Sequence, residues 1–222
     1  MRLFVCAATA WELSAWGEVH ESEEQESITL QVTGVGAPAT FAALSQRPEA
    51  DLILAIGIAG AYRETGLEIG ELVIGESEAW GDIGFALPEP PHFRPIQQSE
   101  FGGFYSQPQP LWAPAWLPAK RGRGCTVHTC TGTEEQGALR RELFSAHFES
   151  MEGAAVAQLG QSWGIPVCEV RAISNMAAHR DMRPEHLSLA KERLTMFLKN
   201  LKSEGDFFHR LSMELFRGES PS

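Results

Sequence analysis

The chain has 222 residues, 43% hydrophobic and 21% charged, enough to bury one substantial core and typical of a globular domain. Its formal net charge of −11 repels a nucleic-acid backbone or an anionic membrane, because such partners need clustered Lys and Arg to neutralise their phosphates. Small uncharged or weakly charged ligands remain open, and no apolar run approaches the length of a membrane span.

The first ten residues, MRLFVCAATA, are apolar but too short for a signal h-region plus cleavage site. They predict a buried first strand at 2–8, and the chain is expected to be cytoplasmic. Further strands are predicted at 28–34 (ITLQVTG), 51–57 (DLILAIG), 71–79 (ELVIGESEA), 124–130 (GCTVHTC) and 167–174 (VCEVRAIS). Helical segments fall at 37–46, 134–147, 151–163 and about 185–202. In the last of these, Leu187, Ala190, Leu194, Phe197, Leu198 and Leu201 define one apolar stripe, which marks packing rather than chemistry. Short apolar strands alternating with helices predict a mixed α/β domain with its strands covered on both faces.

Between 84 and 120 lies a segment rich in proline and aromatic residues, too broken for regular structure and too apolar for a free linker. It is expected to cover a pocket or an oligomer interface. After residue 203 a tail (204–222) has room for one short amphipathic helix before a disordered end. Cys6, Cys125, Cys130 and Cys168 show neither a CxxC nor a Cys/His ligand pattern, so they read as reduced core residues, and no metal or cofactor is implied.

Ligands of open α/β sheets bind where strands end, which singles out Thr9-Ala10-Trp11-Glu12, Thr33-Gly34-Val35-Gly36, Gly57-Ile58-Ala59-Gly60 and Ser174-Asn175. Gly34 and Gly36 suit a tight turn, but without a third glycine or a phosphate-loop Lys they fit a plain structural turn equally well. Glu12 is either an acid favoured by a helix dipole or a general base at the top of a central strand. Glu152 stands among Met151, Gly153, Ala154, Ala155 and Val156, which offer it no polar company, so a buried carboxylate there calls for nearby hydrogen-bond donors. Ligand hydroxyls and free backbone N–H groups at a helix start both meet that need. Asn175 offers a donor and an acceptor where a strand should end, a place where turns also favour Asn.

Taken together, ESMEGAAVAQ followed by VRAISN resembles the nucleoside phosphorylase and nucleosidase family, in which a Met-Glu pair begins a helix and an Asp or Asn ends a later strand. MRLFVCAATAWE, TGVGAPAT, AIGIAGAY, LEIGELVIGE and TGTEEQGAL fall in the family order, so the resemblance covers nearly the whole chain. It implies a single-domain three-layer αβα sandwich with a mixed central β-sheet. By the same resemblance, Met151 packs against a ribose, Glu152 binds its hydroxyls, Ala59 and Gly60 line the base or sugar, and Thr133 and Glu134 join the substrate site.

Glu12 matches the acid that activates water in the nucleosidase branch, which implies hydrolysis rather than phosphorolysis. Around Glu12 the sequence places Trp11 and Trp16 and no Arg to hold a phosphate. The departure from the family is Asn175, where nucleosidases for methylthioadenosine and S-adenosylhomocysteine carry Asp. An amide pairs its NH₂ with a 6-oxo group and its oxygen with a protonated N7, which points to a 6-oxopurine nucleoside. A further group at the 5′ end would need an apolar slot and a donor or cation. The broken loop supplies Phe85, Phe93, Phe101, Phe104, His92 and Arg94, and His179 and Arg180 follow Asn175. The alternatives are a methylthioadenosine/S-adenosylhomocysteine nucleosidase, a purine nucleoside phosphorylase, or a non-catalytic nucleoside-binding module. Hydrolytic family members resemble dimers in which a loop closes the neighbour's pocket, so a homo-oligomer, and a dimer first, is implied.

Overall fold

A computed structural model describes residues 1–17, 27–179, 182–203 and 207–216. The side-chain alternation of its strands sets the layers. In β1 (Arg2–Ala7), Leu3, Val5 and Ala7 meet one layer, while Phe4 and Cys6 meet the other. Strand β3 (Leu52–Ala61) repeats the division, with Leu52, Leu54 and Ile56 on the first side and Ile53 and Ala55 on the second. Strands apolar on both faces must be covered on both. Helix α5 (Pro184–Ser203) buries its Ala190, Leu194, Phe197, Leu198 and Leu201 stripe on the first face, and α6 (Phe207–Phe216) adds Phe207 and Leu211. On the second face, α4 (Gly153–Trp163) packs beside α2 (Ala37–Ala43) and places Val156 against Phe4 and Ile53.

The mixed sheet contains β2 (Ser27–Val32), β4 (Leu72–Trp80), β8 (Lys120–Thr126), β9 (Phe148–Ser150) and β10 (Val167–Met176) in the order β10-β4-β8-β9-β3-β1-β2, with β7 (Gln109–Pro110) paired to β4. Because β10 also pairs with β3, the strands β3, β10, β4, β8 and β9 close into a ring from which β1 and β2 extend. The protein is a single α/β domain, a three-layer αβα sandwich on a mixed sheet. Among the described residues no helix is long and apolar enough to cross a membrane.

Four details differ from the sequence expectations. Strand β3 runs on through Gly57-Ile58-Ala59-Gly60 to Ala61, because β10 pairs with it up to Met176 and small residues let the two backbones lie close. The strand expected at 124–130 lies at Lys120–Thr126. Its polar half hid it from a hydropathy reading: Arg123 Nε donates to Ser145 O at 2.8 Å and Arg121 Nη1 to Ala113 O at 2.6 Å, so these side chains anchor on backbone carbonyls. A separate short strand, β9, precedes Glu152, and α4 starts at Gly153 instead of 151. The proline-rich segment holds regular structure after all, in the hairpin of β5 (Gly84–Ala86) with β6 (Phe93–Pro95) and in β7. The tail residues 204–206 and 217–222 lie outside the described residues.

Candidate active site

A cavity of about 370 Å³ opens where β1, β3 and β10 end, and Glu12, Ala59, Gly60, Met151, Glu152 and Asn175 all line it. Four separated stretches of chain therefore bring these residues to one site.

Glu12 is held from three sides. Thr9, in extended conformation, caps the short helix α1 (Ala10–Leu13): its Oγ1 accepts from the Glu12 N–H at 3.1 Å and donates to Glu12 Oε2 at 2.8 Å. The Thr9 N–H donates to the same oxygen at 3.0 Å, which completes a capping box. On the other side, the Ile58 N–H donates to Oε1 at 3.1 Å. Both expectations for Glu12 thus describe real geometry, since it serves the helix start and faces the cavity with a fixed orientation. Gly57 makes this approach feasible, because a Cβ there would stand 2.7 Å from Glu12 Oε1 and 2.5 Å from Arg171 Nη1.

Glu152 occupies the N-cap position of α4 but makes no side-chain cap hydrogen bond. Its Oε1 instead accepts from the Gly36 N–H at 2.8 Å, across 116 residues of chain. Gly36 sits at φ 88° in the Gly34-Val35-Gly36 turn, a left-handed conformation that favours glycine and aims this N–H inward. Glu152 Oε2 faces Arg171 Nη1 at 3.7 Å, a charge contact too long for a hydrogen bond, so this oxygen keeps its acceptor capacity for a ligand. Burial pushes the Glu152 carboxyl above the usual range, with Arg171 and the Gly36 N–H opposing and Glu12 and Glu169 adding to the shift.

Asn175 lies within β10, one residue past a bulge at Ser174, and its Nδ2 would stand 3.1 Å from a Cβ on Gly60. Ser174 Oγ reaches Asn175 Oδ1 at 2.9 Å, and Nδ2 donates to Met176 O at 3.2 Å. These two contacts orient the amide and leave it one N–H donor and one oxygen lone pair, the complement of a 6-oxo group beside a protonated N7. Met151, with Cys130 Sγ at 3.7 Å from its Sδ, forms an apolar stretch of the wall.

The other expected site residues are placed elsewhere. Thr133 caps α3 (Glu134–Phe144) by accepting from the Gln136 N–H, and Glu134 pairs with Arg63 at 2.8 Å outside the cavity. His92 turns at φ 61° in the β5–β6 loop, Arg94 lies over the Phe85 ring at 5.1 Å, and His179 is exposed; none of the three lines the cavity within one chain. Phe85 also meets Phe101 at 6.5 Å, and neither ring lines the cavity within one chain. Arg180 and the side chain of Phe104 lie outside the described residues.

Two charged groups escaped the sequence reading. Arg171 is 2% exposed and sits behind Glu12 and Glu152, tied to Glu169 at 2.8 Å; burial opposes its charge, but the carboxylates of Glu169, Glu152 and Glu12 outweigh burial and push its pKa up. Glu149 lines the cavity and is held by the Thr131 N–H at 2.8 Å, the Tyr62 hydroxyl at 3.0 Å, the Thr131 hydroxyl and Arg140. The available signal was charge at alternate positions of a buried strand, Glu169 and Arg171 in CEVRA. Among the described residues lining the cavity there are three acids, Glu12, Glu149 and Glu152, and no Lys, Arg or His.

This fold, with a Met-Glu helix start and an amide-tipped strand around one cavity, is that of the phosphorylase superfamily, whose family model matches residues 17–203; the chain belongs to that superfamily. Two curated relatives are futalosine hydrolases. That of Streptomyces coelicolor is 34% identical over 157 residues, covering 69% of this chain and 65% of that protein. That of Thermus thermophilus is 30% identical over 180 residues, covering 78% and 80%. Among solved structures, futalosine hydrolase of Helicobacter pylori superposes with a TM-score of 0.66 at 18% identity, covering 91% of this chain and 97% of that one. S-adenosylhomocysteine nucleosidase of Streptococcus pyogenes does so with a TM-score of 0.66 at 22% identity, covering 90% and 97%. At such identities the superpositions establish the shared fold.

Proposed function

We propose that the protein hydrolyses the N-glycosidic bond of a 6-oxopurine nucleoside, and that its substrate is futalosine, an inosine extended at its 5′ end by an aromatic carboxylate. The products are hypoxanthine and dehypoxanthine futalosine, a step of menaquinone biosynthesis. The observation that carries this reading is the convergence of Glu12, Glu152 and Asn175 on one cavity whose described lining holds no cation. A phosphorylase would need positive or hydroxyl groups free to meet its phosphate; the hydroxyls in this wall, Thr9, Thr131, Ser150 and Ser174, are turned to Glu12, Glu149, Glu78 and Asn175, and the nearby Arg171 is buried and committed to carboxylates. The relatives named futalosine hydrolase support the same choice of substrate.

In this mechanism the C1′–N9 bond breaks with its electrons leaving on hypoxanthine, and positive charge grows on the ribose. Glu152, with its open Oε2, binds the ribose hydroxyls as that charge develops. Glu12 orients a water and takes its proton as the water oxygen bonds to C1′. Asn175 donates to O6 and accepts from N7–H; an amide is no acid at neutral pH, so the N7 proton comes from solvent.

The acting form is a cytoplasmic homodimer, with 1–203 as the catalytic domain and 204–222 as a tail whose helix α6 packs Phe207 and Leu211 on it. Trp11, Val35 and Met182 line the cavity yet are 41%, 58% and 38% exposed, apolar surface that a second subunit would cover. Cys6, Cys125 and Cys168 are buried thiols outside any disulfide, which fits a reducing compartment. The test is base release by the purified protein: hypoxanthine from futalosine and none from inosine is expected. Equal rates on inosine would remove the 5′-group requirement, and adenine release from methylthioadenosine would make it the other nucleosidase.

A further inference from the structure

A second charged layer lies behind Glu12 and Glu152. Glu169 and Arg171 are two residues apart on β10 and so project to the same face, toward α4. Both are nearly inaccessible, at 1% and 2% exposed, and Arg171 Nε donates to Glu169 Oε1 at 2.8 Å. On β4, Glu78 is fully buried and accepts from the Thr126 hydroxyl at 2.7 Å and the Ser150 hydroxyl at 3.3 Å. Those hydroxyls accept in turn from the Ala154 N–H at 2.7 Å and the Gly153 N–H at 3.1 Å, which ties Glu78 to the first turn of α4.

The two carboxyls converge on one glycine. A Cβ on Gly153 would stand 2.4 Å from Glu78 Oε1 and 2.6 Å from Glu169 Oε1, so the two carboxyls crowd one point at the start of α4. Two carboxyl groups share a hydrogen bond only when one carries a proton, and two bare anions in contact in a dry interior are not tolerated. Glu169 Oε2 is likewise buried with no donor among the described residues, so the pair stands where donors are short. Glu169 Oε1 accepts from Arg171 Nε at 2.8 Å, so the proton resides with Glu78, whose pKa burial and the neighbouring Glu169 push well up.

We propose that Glu78 and Glu169 form a proton-sharing pair of single negative charge that positions Arg171 and thereby keeps the second oxygen of Glu152 open to substrate. The pair is a positioning device for the hydrolysis proposed above and rests on that reading. By holding Nε, Glu169 keeps Nη1 at 3.7 Å from Glu152 Oε2, close enough to attract and too far to occupy that oxygen. With the Glu169 charge gone, the guanidinium turns to hydrogen-bond Glu152, occupies its open oxygen and makes it a weaker base. The charged or titratable groups facing Arg171 are Glu169 on its own strand, Glu12 on α1, Glu152 at the head of α4 and Cys6 on β1; those facing Glu78 are Glu169, Arg171 and Cys125 on β8.

The experiment has two arms on the full chain. In the first, kcat and KM for futalosine are measured across the acid limb. Glu169→Gln is expected to move that limb about one pH unit lower and to cut kcat roughly tenfold with KM within about twofold. Glu78→Val is expected to lower kcat, and Glu78→Gln, whose NH₂ stands in for the shared proton, to recover most of the loss. An unmoved acid limb in Glu169→Gln, or Glu78→Gln behaving as Glu78→Val, overturns the proposal. The second arm needs no turnover: the wild-type infrared spectrum at neutral pH should hold a protonated-carboxyl stretch that Glu78→Gln removes. Absence of that band overturns the shared proton even if futalosine is hydrolysed. A protein that shows the band and hydrolyses no purine nucleoside refutes the hydrolytic reading instead.

Discussion

Glu149 and Glu152 stand three residues apart, are similarly buried and line the same cavity, yet they are built for opposite purposes. Glu149 is saturated, with Thr131, Tyr62 and Arg140 all donating to it. Glu152 has one oxygen bound to Gly36 N–H and the other held short of a hydrogen bond from Arg171. A buried acid whose partners are complete contributes structure, whereas one left half-satisfied at a cavity is kept ready for a ligand. Glu12 stands between them, held by three donors from Thr9 and Ile58 against four at Glu149, an arrangement that would suit a base aimed into the cavity.

Substitutions can break or sharpen this contrast. The largest effect is expected at Glu12: Glu12→Gln should lower kcat by roughly 10²–10⁴-fold with little change in unfolding midpoint, since Gln retains the shape of the acid. A Glu12→Gln protein with wild-type kcat would remove it as the base. At Glu149 the loss should fall on stability. Glu149→Ala leaves Arg140, 6% exposed, with the neutral Thr131 hydroxyl at 2.9 Å and, among the described residues, Asp82 at 3.9 Å as its remaining carboxylate, and should cost about 3 kcal/mol in a urea unfolding series, the low end for a broken buried pair. A change below about 0.5 kcal/mol, as at an ordinary surface site, would show that its partners were not holding it.

Glu152→Gln should separate the two properties within one residue. Its folded-state pKa is raised, so the folded protein prefers the protonated form; the stability this gives is full below the unfolded value and is lost as pH rises through the folded one. A neutral Gln avoids that loss, so the variant should be at least as stable as wild type at neutral pH while kcat falls roughly 10²-fold. For the same reason the wild-type kcat/KM should rise with pH about a midpoint above the ordinary glutamate value of about 4.3. A variant destabilised at neutral pH, or an acid limb at the ordinary value, would contradict this. The smallest effect is expected at Asn175→Asp, where kcat/KM for hypoxanthine over adenine nucleosides should fall roughly tenfold or more, as one directional hydrogen-bond pair is lost. An unchanged ratio would sever Asn175 from base reading.

The sequence made the cavity's rim legible and left its foundation hidden. Glu152 stood out because an acid among Met, Gly and Ala has no local explanation, and Asn175 because an amide closed an apolar strand. Glu169 and Arg171 did not, since each neutralises the other across two residues and the strand still reads as apolar on average. Glu149 was lost in a three-residue strand, too short to show a period. The proline-rich segment is harder to read: Phe85, Phe101 and Arg94 suggested an aromatic slot with a cation, and within the chain Phe85 meets Phe101 at a tilt while Arg94 lies over the Phe85 ring. Strand periodicity gave the layers because β1 after Arg2, and β3 throughout, carry no polar side chain. It failed for β8, whose Arg side chains anchor on carbonyls that only the folded chain brings near.

Solvent-isotope tracing of the reaction tests the central claim most directly. The protein is incubated with futalosine in ¹⁸O-water, with and without phosphate. The account predicts hypoxanthine release at the same rate in both, with one solvent oxygen at C1′ of the sugar product. A sugar 1-phosphate, or base release that requires phosphate, would contradict it.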